Sequence, residues 1–155
     1  MSKLPVMVIS SAGDLEPGSI SADWILSGTP ETRSKTLIRS HDWMSHLVLW
    51  ECTAGQFKWH YSTDEVLIVV SGEAYMMEEG GGERRFGPGD IGYFPAGSSC
   101  IWRVPDSIRK VAVIRETTWR PLGFFLKACN KLLRIAGLKG KSALMLAVWV
   151  LWNIQ

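Results

Sequence analysis

Gly55-Gln-Phe-Lys-Trp-His-Tyr-Ser-Thr-Asp-Glu65-Val-Leu-Ile-Val-Val-Ser-Gly72 and Gly89-Asp-Ile-Gly-Tyr-Phe-Pro95-Ala-Gly97-Ser-Ser-Cys100-Ile-Trp102 decide how this chain folds. Both join short apolar or alternating runs to glycine and proline turns, the pattern of antiparallel strands linked by tight connections. Working outward, strands are expected at Thr36–Arg39, His46–Cys52, Gln56–Tyr61, Val66–Val70, Glu73–Met77, Asp90–Phe94, Ser99–Val104 and Lys110–Ile114. Breakers fall at Gly28 and Pro30, Gly55, Ser71-Gly72, Gly80 to Gly82, Gly87 to Gly89, Pro95 to Gly97 and Pro105-Asp106. Connections this short leave no room for crossover helices, so the sheets are antiparallel and the class is all-β, a barrel or jelly roll. Val66 to Val70 is a continuous apolar run, β-branched except at Leu67, as in a strand covered on both faces. The glycines at 80–82 read as a hairpin turn, because no helix start follows them to hold a phosphate.

The chain has 155 residues, enough for one ordinary domain. Its 17 basic against 15 acidic residues give a net charge of +2, and no aromatic-studded basic run points to nucleic acid. Cys52, Cys100 and Cys129 form no CxxC and fit no disulfide framework, and the N-terminal apolar run, broken by Pro5, makes a poor secretory signal. A reducing cytoplasmic location is expected.

Three regions follow: an N-terminal arm over 1–23, the barrel over 24–119, and a helical segment over 120–155. In the last, Phe124, Phe125, Ala128, Leu132 and Ile135 form one stripe and Lys127, Asn130, Lys131 and Arg134 another, an amphipathic helix closed by Gly137. Ser142 caps a second, shorter helix through Trp152. About ten apolar residues cannot span a bilayer, which takes about twenty. The tail is expected to pack on the barrel or in a dimer interface; the alternative is contact of residues 121–155 with a membrane surface or a partner.

With Glu65, Gly72, Gly89, Asp90, Pro95 and Gly97 in place, the region from Trp24 to Ile114 resembles the cupin superfamily, and within it the cupin-3 family, also called DUF861 or ureidoglycine aminohydrolase cupin-like. The resemblance implies a cupin-type antiparallel barrel and, in general, a metal held by two histidines and a glutamate in the first motif and a histidine in the second. Here Trp59, Tyr61 and Cys100 stand at the histidine positions and Glu65 at the glutamate. Strand alternation puts Phe57, Trp59 and Tyr61 on one face, inward, and His60 on the other. One carboxylate and one thiol fall short of a metal's usual three protein ligands. His46, on a face with Val48, Trp50 and Cys52, adds a third ligand to Glu65 and Cys100 only if that face points inward.

No cofactor is therefore favoured, with a divalent metal as the alternative. The expected site is an aromatic, single-carboxylate pocket of Trp59, Tyr61, Glu65, Cys100 and Trp102 that takes a small polar molecule. Glu65 and Cys100 are the candidate catalytic groups. Glu65 needs a cation or hydrogen bonds to stay charged there, and serves as a general acid or base, an anchor for an amine, or a brace inside the barrel. The alternatives are a metal-dependent aminohydrolase-like enzyme acting on a small nitrogen compound, and an interaction module docking through its tail. Cupins commonly pair, so a homodimer is expected.

Overall fold

The structure, a computed structural model, describes residues 14–78, 81–116 and 120–135. The expected second helix and the first part of the N-terminal arm lie outside the described residues. The chain divides into two compact units, Met1–Thr117 and Thr118–Gln155.

The first unit is a nine-stranded antiparallel sheet curled on itself. Its strands are β1 (Glu16–Pro17), β2 (Ile25–Gly28), β3 (Thr32–Arg39), β4 (Ser45–His60), β5 (Asp64–Gly72), β6 (Ala74–Glu78), β7 (Glu83–Phe86), β8 (Ile91–Phe94) and β9 (Ser99–Arg115). The long β4 and β9 pair along their whole length, from Ser45 opposite Arg115 to His60 opposite Ser99. One half of this ribbon joins β3 and β5, with β8 beyond β5; the other half joins β2 and β6, with β7 beyond β6. The ribbon thus runs through both walls, and the core of Phe57, Leu67, Val69, Phe86, Trp102 and Ile108 lies between them.

Two expected strand ends turned out to be strand interiors. β4 continues through Gly55 and β9 through Pro105, with a register shift between Thr53 and Gly55. Extra residues in a bulge bend the ribbon, and the bulge also accommodates a proline that cannot donate to the ladder. Gly55 is needed for contact: a Cβ there would lie 2.7 Å from Cβ of Pro30. Gly72 closes the β5–β6 turn at φ 69°, where a Cβ would fall 2.1 Å from the Ser107 carbonyl oxygen.

The run at 66–70 is covered on one face only. Leu67 and Val69 are buried, whereas Val66, Ile68 and Val70 are 40%, 44% and 39% exposed. Both faces are apolar in sequence, so the run does not reveal its polarity.

The described part of the second unit is helix α1 (Arg120–Ile135), within the segment expected to be helical.

Candidate functional site

Four of the five expected pocket residues are buried together. Trp102 is 1% exposed, Tyr61 and Cys100 4%, and Glu65 7%. Trp59 is half-buried and meets Trp24, Trp50 and Phe57 edge-on. The Trp102 indole N–H donates to the Tyr61 hydroxyl at 3.1 Å, and that hydroxyl lies 3.8 Å from the Cys100 sulfur. The Tyr61 ring stacks on Phe94 with centroids 4.6 Å apart. His60 points away from the core, exposed, with its ring edge-on to Trp24.

The residue the sequence reading passed over is Lys110. It sits on β9 opposite Trp50, in the row of Ile108 and Ala112, and its side chain is 6% exposed. Its ammonium donates to Glu65 Oε1 at 2.7 Å and lies 4.8 Å from the Trp50 ring centroid and 4.9 Å from that of Trp102. The cation that Glu65 needs is thus supplied by the chain itself, and two indole faces complete its surroundings. Alternation does place Lys110 on the face of Ile108, Ala112 and Ile114. Val111 and Val113 make the other face equally apolar, so the pattern alone does not choose.

These groups are held neutral or paired. Burial pushes the Tyr61 phenol far above its ordinary range, with the nearby Cys100 and Glu65 charges adding to the effect. Burial also raises the Cys100 thiol, more than its hydrogen bonds from Tyr61 and Trp102 lower it. The Cys52 thiol, likewise buried, is pushed up to about 12. A protonated thiol is a poor nucleophile.

The arrangement does not fit a divalent ion. Among the described residues no three His, Cys, Asp or Glu side chains converge as ligands. His46 lies opposite Ile114 on β4, with β9 between it and Glu65, and the Tyr61 hydroxyl is already engaged by Trp102. Among the described residues the one buried carboxylate, Glu65, already carries an ammonium.

A cavity of about 300 Å³ opens beside this cluster, lined by Met76, Glu78, Arg84, Phe86, Gly92, Phe94 and Cys100. Of the five expected residues only Cys100 reaches it. Phe94, stacked on Tyr61, carries the packed cluster to the cavity wall. Gly92 leaves room there: a Cβ would lie 2.7 Å from the Phe94 ring and 2.9 Å from that of Phe86. Arg84 and Glu78 bring opposite charges to the lining. Arg85, also in the lining, is held by Glu73 at 2.7 Å.

The curled sheet and its two motifs define a cupin barrel. Residues 39–112 match the family model described as the EutQ-like cupin domain, and this stretch of the barrel belongs to that cupin-3 family. Among solved structures, a protein of unknown function of the DUF861 family from Pseudomonas syringae superposes with a TM-score of 0.63 at 19% identity. That match takes in 68% of this chain and 46% of the other, so the chain spans about half the length of that relative. A putative ethanolamine utilization protein Q from Salmonella typhimurium gives 0.50 at 24% identity, over 57% of this chain and 72% of the other. A cupin-like protein from Thermotoga maritima gives 0.52 at 18%, over 66% and 80%. No curated protein matches the chain.

Proposed function

We propose that this barrel is a metal-free binder of a small polar molecule, with the Lys110–Glu65 pair standing where a cupin's metal would sit. The observation that carries the reading is this buried ion pair, together with a cavity whose lining includes Cys100 and Phe94 but neither Lys110 nor Glu65. The pair and the two indoles fix the barrel's inner wall, and Arg84 and Glu78 offer a cation and a carboxylate at the mouth. One charge of each sign suits a compound that carries both an amine and an acid group, with its apolar part against Met76, Phe86 and Phe94. The three free cysteines agree with a reducing cytoplasm as the place of action.

A thermal-shift panel of small amino acids, amines, carboxylic acids and polyols tests the binding. At least one compound should stabilise the wild-type protein, and Arg84→Ala, an exposed position, should weaken that shift. No shift across the panel, together with native mass spectra free of any bound small molecule, would overturn the reading.

The same reading takes the protein as a homodimer, for which the outer face of β8, β5, β9 and β4 is the support. Tyr93, Val66, Val113 and Leu47 form one cross-strand row, and Ile91, Ile68 and Val111 the next, which ends at the fully buried Leu49. Ile91 is 69% exposed, Tyr93 62% and Val113 44%. A contiguous apolar patch of this kind exceeds what isolated surface residues present, and two copies related by a twofold axis bring it toward the roughly 800 Å² per partner of a standard interface. Sedimentation should give a dimer that Val113→Lys dissociates; a wild-type monomer at micromolar concentration contradicts it.

A further inference from the structure

Charge is divided sharply along this sequence. All 15 acidic residues lie at or before Glu116, whereas 6 of the 17 basic residues (Arg120, Lys127, Lys131, Arg134, Lys139 and Lys141) lie after it. The net +2 is therefore −4 up to Glu116 and +6 beyond it. Helix α1 lies wholly in the acid-free part.

At 3.6 residues per turn, positions 120, 127, 131 and 134 fall within about 60° of the helix circumference, joined by Gly123 and Asn130. Phe124, Phe125, Ala128, Leu132 and Ile135 occupy an adjoining arc of about 100°, and Leu126 and Cys129 carry the apolar side further round. The main apolar arc is open: Phe124 is 76% exposed, Phe125 60%, Leu132 65% and Ile135 74%.

A groove on a partner protein selects a narrow stripe of anchors at i, i+3, i+4 and i+7. An apolar side this wide, facing a uniformly basic one, matches a planar boundary between oil and negative charge. The helix is also no span. Among the described residues no helix is long and apolar enough to cross a bilayer, and at 1.5 Å per residue α1 reaches only about 24 Å.

We infer that α1 lies on an anionic lipid surface, with Phe124, Phe125, Leu132 and Ile135 sunk among the acyl chains and Lys127 and Lys131 at the headgroups. The acidic first unit is repelled by such a surface, so the attraction resides in the residues after Glu116.

Flotation of the full-length protein with vesicles tests this. Phosphatidylcholine vesicles with about 30% phosphatidylglycerol should carry the protein up at 0.1 M salt; pure phosphatidylcholine should bind it at least about tenfold more weakly. Lys127→Glu with Lys131→Glu should lose at least about tenfold on the anionic vesicles, and Phe124→Ser with Phe125→Ser should abolish flotation, both variants keeping the thermal midpoint of the barrel. Failure of the wild type to float overturns the inference, as does equal binding to neutral vesicles. A change of oligomeric state in the Phe variant without vesicle binding would assign the face to a second copy instead.

Discussion

Replacing Lys110 with methionine is the sharpest perturbation of the barrel. The side chains of Lys110 and Glu65 are 6% and 9% exposed, so the change leaves a carboxylate with neither water nor a counter-ion. Removing one partner of a buried pair costs about 3–5 kcal/mol. Two cation–π contacts go with it, each worth about 0.5–2 kcal/mol. For a domain of this size the loss lowers the melting temperature by about 10–20 °C. Lys110→Met with Glu65→Leu removes both charges and should return to within about 2 kcal/mol of wild type, since an apolar pair of similar volume replaces an ion pair at little cost. Urea unfolding followed by tryptophan fluorescence measures all four corners of the cycle. A single variant within about 1 kcal/mol of wild type, or a double variant as unstable as the sum of the singles, refutes the reasoning.

Three further outcomes follow from the packing. Iodoacetamide at neutral pH should leave Cys52 and Cys100 unmodified in the native protein and label them after unfolding, since both are buried thiols held protonated; native labelling of Cys100 would contradict this. The Cys52 thiol rises from an ordinary 9.0 to about 12 on folding, so its contribution is intact below about pH 9 and lost progressively toward pH 12, with a slope of up to about 1.4 kcal/mol per pH unit. Cys52→Ala should make the stability curve visibly shallower over that window, and an unchanged slope would refute the assignment. Gly72→Ala sets a Cβ against the Ser107 carbonyl at φ 69° and should cost more than the about 1 kcal/mol of an ordinary glycine replacement; a neutral effect in urea unfolding would show that the turn is not so constrained.

The barrel was legible because turns and strand ends are written in local chemistry. Gly72, Gly89, Pro95 and Gly97 mark turns whose backbone few other residues adopt, and three of the four, all but Pro95, have positive φ. Alternation put Tyr61 inside and His60 outside, as the structure has them. The strand count was less legible: Gly55 and Pro105 look like terminators, and only the bulge between β4 and β9 makes them interior. The outer face of β5 was misjudged for a related reason, because burial on one side is invisible when one side is leucine and valine and the other valine and isoleucine. Lys110 escaped notice because its partner lies 45 positions away in sequence, across a strand pairing that only the fold brings together. The cavity shares this origin: Arg84 and Gly92 reach Cys100 only through the pairing of β6 with β7 and of β5 with β8.

Elemental analysis of the natively purified protein tests the central claim most directly. If the Lys110 ammonium stands in the metal's place, manganese, iron, nickel, copper and zinc should each be well below one equivalent per chain and should not change in Glu65→Gln. One equivalent of any of them, lost on that substitution, would contradict the account.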